Sequence, residues 1–206
     1  MVRMQTLSMK QMVFLMALAF AVSSCERSVE NPRQPSPEPP KTQPEMTYID
    51  LGNVTVGFGQ AKGVDLTADG QPDLIFGTVL VGDPILKRDR RQYTVVSAQK
   101  RNLLNDATDQ TPALHQRDGI TAAHPGYLWW DLSSIVLAEK IVTYTNTFWQ
   151  GNWKDAGHRY LPIQIDLQGK KYHGWVELSL PGAEEKIILH RAAVSKVPDV
   201  AVMAGL

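Results

Sequence analysis

Leu161-Pro162-Ile163-Gln164-Ile165-Asp166-Leu167 alternates apolar and polar residues, Gln168-Gly169-Lys170 supplies turn formers, and Lys171 to Leu180 runs back with Val176, Leu178 and Leu180 on one face. Successive side chains of a strand point to opposite sides, so this alternation marks two half-buried strands joined as a hairpin. Pro181-Gly182-Ala183-Glu184-Glu185 turns the chain again, and Lys186-Ile187-Ile188-Leu189-His190 supplies a third strand. Earlier in the chain, Tyr48 to Phe58, Leu74 to Val81 and Gln92 to Ala98 carry the β-branched and aromatic composition of strands. Gly57 to Gly63 reads as a glycine-shaped bulge or turn, Lys87-Arg88-Asp89-Arg90-Arg91 as a solvated loop or edge, and Asn102 to Asp109 as a helical turn. No long amphipathic helical pattern follows the first 25 residues. The expectation is one all-β domain over residues 46–206, an antiparallel β-sandwich or a barrel-like relative.

The N-terminal segment has a different character. Arg3 and Lys10 flank the start of an uncharged apolar run from Met12 to Val22, and Ser23-Ser24 precede Cys25, the single cysteine. The run spans 11 residues, too short for a hydrocarbon core that needs about 20. Residues 1–24 therefore read as a signal peptide. Val22-Ser23-Ser24-Cys25 resembles the bacterial lipobox. That resemblance implies a lipoprotein whose Cys25 thiol carries diacylglycerol with palmitate-like chains and becomes the new N-terminus. It also implies a place in the bacterial cell envelope, lipid-anchored to the outer membrane on its periplasmic or surface face. With Cys25 so used, the folded part has no thiol left for a disulfide, a zinc-thiolate site or a cysteine nucleophile. Residues 25–45, with prolines at 32, 35, 37, 39, 40 and 44, read as an extended tether reaching about 45 Å.

Removal of residues 1–24 leaves 19 basic residues against 21 acidic, a net charge of −2. This balance argues against nucleic acid as a partner and gives no overall pull toward an acidic membrane, leaving the lipid as the anchor.

Asp65-Leu66-Thr67-Ala68-Asp69-Gly70-Gln71-Pro72-Asp73 is the densest chemical signal. Alternate positions of a tight loop point inward, and Ca²⁺ takes six to eight oxygens, so Asp65, Thr67, Asp69, the Gln71 carbonyl and Asp73 form a candidate metal set around the reversal at Gly70. Phe76 stands where an EF-hand needs its bidentate Glu. The stretch is similar instead to the shortened Asp-x-Asn-x-Asp-Gly-x-x-Asp loop of dockerin, thrombospondin-type and integrin-type repeats, with Thr67 in place of Asn. The other reading of the same residues is an Asp-Gly turn between strands.

The acidic loop, Phe148-Trp149-Gln150-Gly151-Asn152-Trp153, Arg159-Tyr160-Leu161 and Tyr172-His173-Gly174-Trp175-Val176 together resemble a recurring secreted bacterial domain with no assigned reaction. The likeness spans most of residues 47–195 and implies an extracellular β-rich fold. Pro162, at a position where that domain usually has glycine, and the order Tyr172-His173 depart from its pattern.

Five tryptophans, Trp129, Trp130, Trp149, Trp153 and Trp175, lie in the folded region. They read either as core or as platforms for sugars and partner proteins; Trp129, Trp130, Trp149 and Trp153 are the candidate ligand-binding set. Neighbours on a strand face opposite ways, so one of Trp129 and Trp130 is expected at the surface. Histidines 115, 124, 158, 173 and 190 form no zinc-binding pair in sequence, and no Gly-x-Ser-x-Gly elbow is present. Asp131 or Asp155 with Glu139 or Glu177 would be the carboxylates of a glycoside hydrolase-like enzyme. The leading expectation is a non-enzymatic, membrane-tethered domain that binds a glycan or an envelope protein, with a calcium loop for stability. A carbohydrate-binding module or a glycoside hydrolase-like enzyme is the alternative.

Overall fold

The computed structural model describes residues 36–206; the signal peptide, Cys25 and the first part of the tether lie outside them. The hairpin read from alternation forms β10 (Ala156–Leu167) and β11 (Lys170–Leu180), turning at Gln168 and Gly169, both at positive φ. Leu161, Ile163 and Ile165 of β10 and Val176, Leu178 and Leu180 of β11 all enter one core. The third expected strand is β12 (Ile187–Ser195), and β1 (Met46–Val56) pairs along its outer side. With β5 (Arg101–Asn105) and β7 (Leu128–Trp130) these make a six-stranded sheet in the order β1-β12-β11-β10-β5-β7.

Facing it is a five-stranded sheet in the order β2 (Ala61–Val64), β3 (Leu74–Asp83), β4 (Arg88–Ser97), β8 (Ser134–Thr143) and β9 (Thr147–Gln150). Phe76, Tyr93, Val95, Ile135 and Leu137 from this sheet pack into the same core as the hairpin residues. All pairings are antiparallel and the two sheets are separate, so the domain is an open sandwich and not a barrel. Burial at this interface is the main source of stability, each fully buried large aliphatic side chain contributing about 1.5–3 kcal/mol.

The six-stranded sheet is covered on its second face too. The short pair β6 (Gly119–Ile120) and β13 (Val202–Met203) seals a smaller cluster of Met46, Leu114, Ile120, Tyr160, Trp175 and Val202. This double burial explains why β11 is buried almost throughout. Gly174 marks the tightest approach: a Cβ there would run into the carbonyl of Ala193 on β12. Pro162, which has no N–H to give, falls between the last β5 pairing at Ile163 and the isolated Leu114–Tyr160 bridge.

Three expectations are corrected. Asn102 to Asn105 are strand, not helical turn, because Leu103 and Leu104 are buried in the sheet and the Asn102 amide is paired inside it, donating to Gln164 Oε1 at 2.7 Å. Arg88 to Arg91 lie in β4, an interior strand between β3 and β8, where carboxylates meet their guanidinium groups: Asp83 that of Arg88, Glu139 that of Arg90 and Glu185 that of Arg91. Finally, residues 36–45, expected within the tether, lie against the domain. Gln43 acts as a strand substitute, donating to the carbonyls of Met203 and Leu206 and accepting the Met203 N–H at 2.7 Å. A side chain on Gly119 would strike the Pro37 carbonyl at 2.7 Å. Residues 36–45 accordingly belong with the compact domain.

Candidate functional site

The acidic loop connects β2 to β3. Both oxygens of Asp65 accept backbone N–H groups, from Thr67 and Ala68 on one and Gly70 on the other. These donors hold its pKa below the usual carboxylate value against the opposing effect of desolvation. Asp69 accepts the Gln71 N–H at 2.8 Å. Asp73, only 2% exposed, accepts from Leu66 and Thr67 N–H at 2.5 and 2.9 Å and from the Thr67 hydroxyl. Its remaining partner is the Arg101 Nε, and the same guanidinium lies 3.8 Å from Asp69. Each of the three carboxylates thus has hydrogen-bond donors within the chain, and Arg101 is the cation paired to them. Among the described residues, no three His, Cys, Asp or Glu side chains are grouped to hold a metal ion. As folded, Asp65, Thr67, Asp69, Gln71 and Asp73 form a hydrogen-bonded turn closed by Arg101.

The tryptophans divide by burial. Trp153 is fully buried, with its indole N–H on the Thr111 carbonyl, and Trp175 is equally buried. Trp149 packs against the main core, its ring tilted against that of Tyr93 with centroids 5.3 Å apart. Trp129 and Trp130 point opposite ways as expected: Trp129 covers the smaller core, and Trp130 is 53% exposed on the edge strand β7. Each candidate carboxylate is engaged by partners of its own. Glu139 sits on β8, held by Gln92, Gln150 and Arg90, whereas Glu177 is on β11 in the other sheet. Asp131 caps the Lys100 N–H and Asp155 the Gly182 N–H.

A different cluster, invisible to motif reading, lies on the outer face of the six-stranded sheet. Three strand irregularities fall side by side there. In β1 the register breaks between Asp50 and Val54, in β12 the partners step from Leu189 to Arg191, and in β10 the break lies between Ala156 and Arg159. A bulge re-aims the residues it sets free, and these are Asn53, His190 and His158. Asn53 and His158 both hold positive φ, at 54° and 45°, a conformation uncommon for non-glycine residues.

The three side chains meet over Ser179 and Glu177. His190 Nδ1 donates to Asn53 Oδ1 at 2.6 Å, which leaves Nε2 to accept the Ser179 hydroxyl at 2.8 Å. His158 stacks on His190 with ring centroids 4.2 Å apart and contacts Glu177 through Nδ1 at 2.7 Å. Arg191 donates to the other Glu177 oxygen at 2.6 Å and lies over the Trp175 ring, against which the exposed Tyr48 packs edge-on.

Burial pushes the Glu177 carboxyl up, but the hydrogen bonds from Arg191 and His158 outweigh it and its pKa lies below the ordinary value. Burial, and then the neighbouring His158, push His190 down, which favours its neutral tautomer. The Ser–His–Asn order has the donor directions of an activated hydroxyl. Ser179, however, is buried and its oxygen also accepts the His158 N–H at 2.9 Å. The arrangement is one of pre-aligned hydrogen-bonding groups, with the His158 ring 67% exposed at its rim.

No family model, no curated protein and no solved structure matches the chain.

Proposed function

We propose that this chain is a non-enzymatic, lipid-anchored domain of the bacterial envelope, tethered through Cys25, that binds a glycan on the outer face of its six-stranded sheet. One observation carries the reading: three aligned backbone irregularities bring His158, His190 and Asn53 together beside Glu177 and Arg191, next to the exposed Tyr48 ring. Sugars are recognised by planar polar side chains that share hydrogen bonds with hydroxyls and by aromatic faces that stack on the ring. Backbone held in uncommon conformations to aim such groups is a recurrent feature of binding sites. The alternative use of the cluster, nucleophilic catalysis through Ser179, is disfavoured by the burial of its hydroxyl and its second hydrogen bond.

The test is a titration of the chain from Gln34 to Leu206 with cell-wall and lipopolysaccharide oligosaccharides, followed by amide NMR shifts. Saturable shifts centred on His158, His190 and Tyr48 are expected. His158→Ala and Asn53→Gly should weaken binding at least about tenfold while leaving the melting midpoint nearly unchanged, since both residues lie at the rim. Absence of saturable shifts, or shifts confined to another face, would contradict the proposal.

A further inference from the structure

Residues 36–45 carry Pro37, Pro39, Pro40 and Pro44, which have no N–H to give and suit a sheet poorly. The side-chain amide of Gln43 makes the attachment instead, and both its N–H groups and its oxygen are used. Its Nε2 donates to the carbonyls of Met203 and Leu206 at 3.3 and 2.9 Å, and its Oε1 accepts the Met203 N–H at 2.7 Å. These bonds bracket the turn at Ala204 and Gly205. The Gly205 carbonyl accepts from Arg191 at 3.4 Å and from Gln116 at 3.3 Å. A Cβ on Gly205 would stand 2.5 Å from the Tyr160 ring, and its φ is 74°, so space and backbone both call for glycine. Arg191 in turn holds Glu177 at 2.6 Å, and Glu177 holds the exposed His158.

We infer that residues 36–45 form a strap that sets the geometry of the proposed glycan site, with Gln43 as its positioning residue; the inference rests on that reading of the site. Residues 202–206 are held from two sides. On one, the Ala204 N–H donates to the Asp118 carbonyl, the Arg117 N–H to the Ala204 carbonyl, and β13 pairs with β6. On the other, Gln43 fixes Met203 and Leu206, which flank the turn. The strap braces the first side as well, because the backbone of Pro37, Glu38 and Pro39 closes on Gly119. Arg191 points its Nε at Glu177 and another guanidinium nitrogen at Gly205, with the Tyr160 hydroxyl beside them. A guanidinium is a rigid planar fork, so its direction is set by its acceptors together, and a shift of Gly205 turns it against Glu177. Glu177 is 6% exposed, so water is poorly placed to replace a slackened hydrogen bond. The strap is continuous in sequence with the tether, and its undocking would reach the site through this turn.

The sample is the chain from Gln34 to Leu206 used for the sugar titration, one compact unit, studied first without sugar. Gln43 is partly exposed, so Gln43→Ala should keep the fold, with a midpoint within about 4 °C of wild type. In this variant the NMR resonance of the Arg191 Nε–H should move. The titration midpoint of the Glu177 carboxyl should rise by about half to one pH unit, because the Arg191 hydrogen bond that lowers it slackens. Gln43→Met, which keeps the length of the side chain without its hydrogen bonds, should give the same changes. Lys196→Ala, which breaks the strap's exposed ion pair with Glu45, should give neither. For a sugar that the wild type binds, Gln43→Ala should lower affinity about three- to tenfold. Unchanged Arg191 and Glu177 signals in both Gln43 variants overturn the inference, and so do equal changes in Lys196→Ala. These signals are read without sugar, so a wild type that binds none contradicts the glycan reading while the strap's hold on Arg191 and Glu177 is still decided by them.

Discussion

Arg101, at the start of β5 in one sheet, donates to the carboxylate of Asp73, which leads into β3 of the other. The pair ties the two layers at the rim where the acidic loop closes. The Ala98 N–H on the Asp73 carbonyl, at 2.9 Å, braces the same junction. Asp73 is buried and the Arg101 side chain only 13% exposed, so the charges are largely removed from water and each depends on the other.

Removing one partner strands the other. Arg101→Ala leaves a buried carboxylate, a change that typically costs about 3–5 kcal/mol. For a domain of this size each kcal/mol moves the midpoint by about 2–4 °C. A thermal melt should show a loss near 10 °C, whereas Arg88→Ala, whose partner Asp83 is more exposed, should change it little.

Calcium gives a second test of the same loop. With Arg101 paired to Asp73 and the Asp65 and Asp69 carboxylates turned onto backbone N–H groups, the midpoint of the chain from Gln34 should be the same in chelator and in millimolar Ca²⁺. A rise of about 3–6 °C, abolished by Asp69→Ala, would instead restore the loop to a metal site of the affinity found in extracellular modules.

His173 makes stability pH-dependent. Its Nδ1–H donates to the Val200 carbonyl at 2.7 Å and its Nε2 accepts from the Gln164 amide at 3.1 Å, so the folded ring is neutral with both nitrogens engaged. Burial holds its pKa below the ordinary 6.5, and burial does the same to His124. The unfolded chain takes up these protons below pH 6.5 while the native state resists them. Their contribution is therefore complete above 6.5 and is lost as pH falls through the native pKa, with a slope of at most about 1.4 kcal/mol per pH unit for each histidine. Urea unfolding between pH 7.5 and 5 should show this decline, and His173→Asn should make it shallower.

The tryptophans separate core from surface. Trp153→Ala should cost about 3–5 kcal/mol through the cavity it leaves. Trp130→Phe should leave the melt unchanged but remove most of the iodide-quenchable fluorescence, since Trp130 is the exposed member of the set.

The hairpin at residues 161–180 was legible because one of its faces is uniformly apolar. Asn102 and His173 hid their strands' pairing, because the outer face of the sheet is buried through an amide–imidazole chain that hydrophobic periodicity does not register. Arg88 to Arg91 read as a loop because the carboxylates that seat Arg90 and Arg91 in the sheet, Glu139 and Glu185, come from distant segments. Gln43 docks its segment by hydrogen bonds to backbone, which composition cannot disclose. The His158–His190–Asn53 cluster depends on bulges in three strands, and a bulge has no sequence signature of its own until the register is known.

The membrane tether is the part of the account most open to direct measurement. The full-length chain, expressed in a Gram-negative bacterium and recovered from membranes, should give by mass spectrometry an N-terminal peptide that begins at Cys25 and carries diacylglycerol. Cys25→Ser should shift the protein to the soluble fraction or leave its signal peptide uncleaved. An unmodified Cys25 within a longer mature chain, or a mature N-terminus beyond residue 25, would contradict the lipid-anchored domain proposed here.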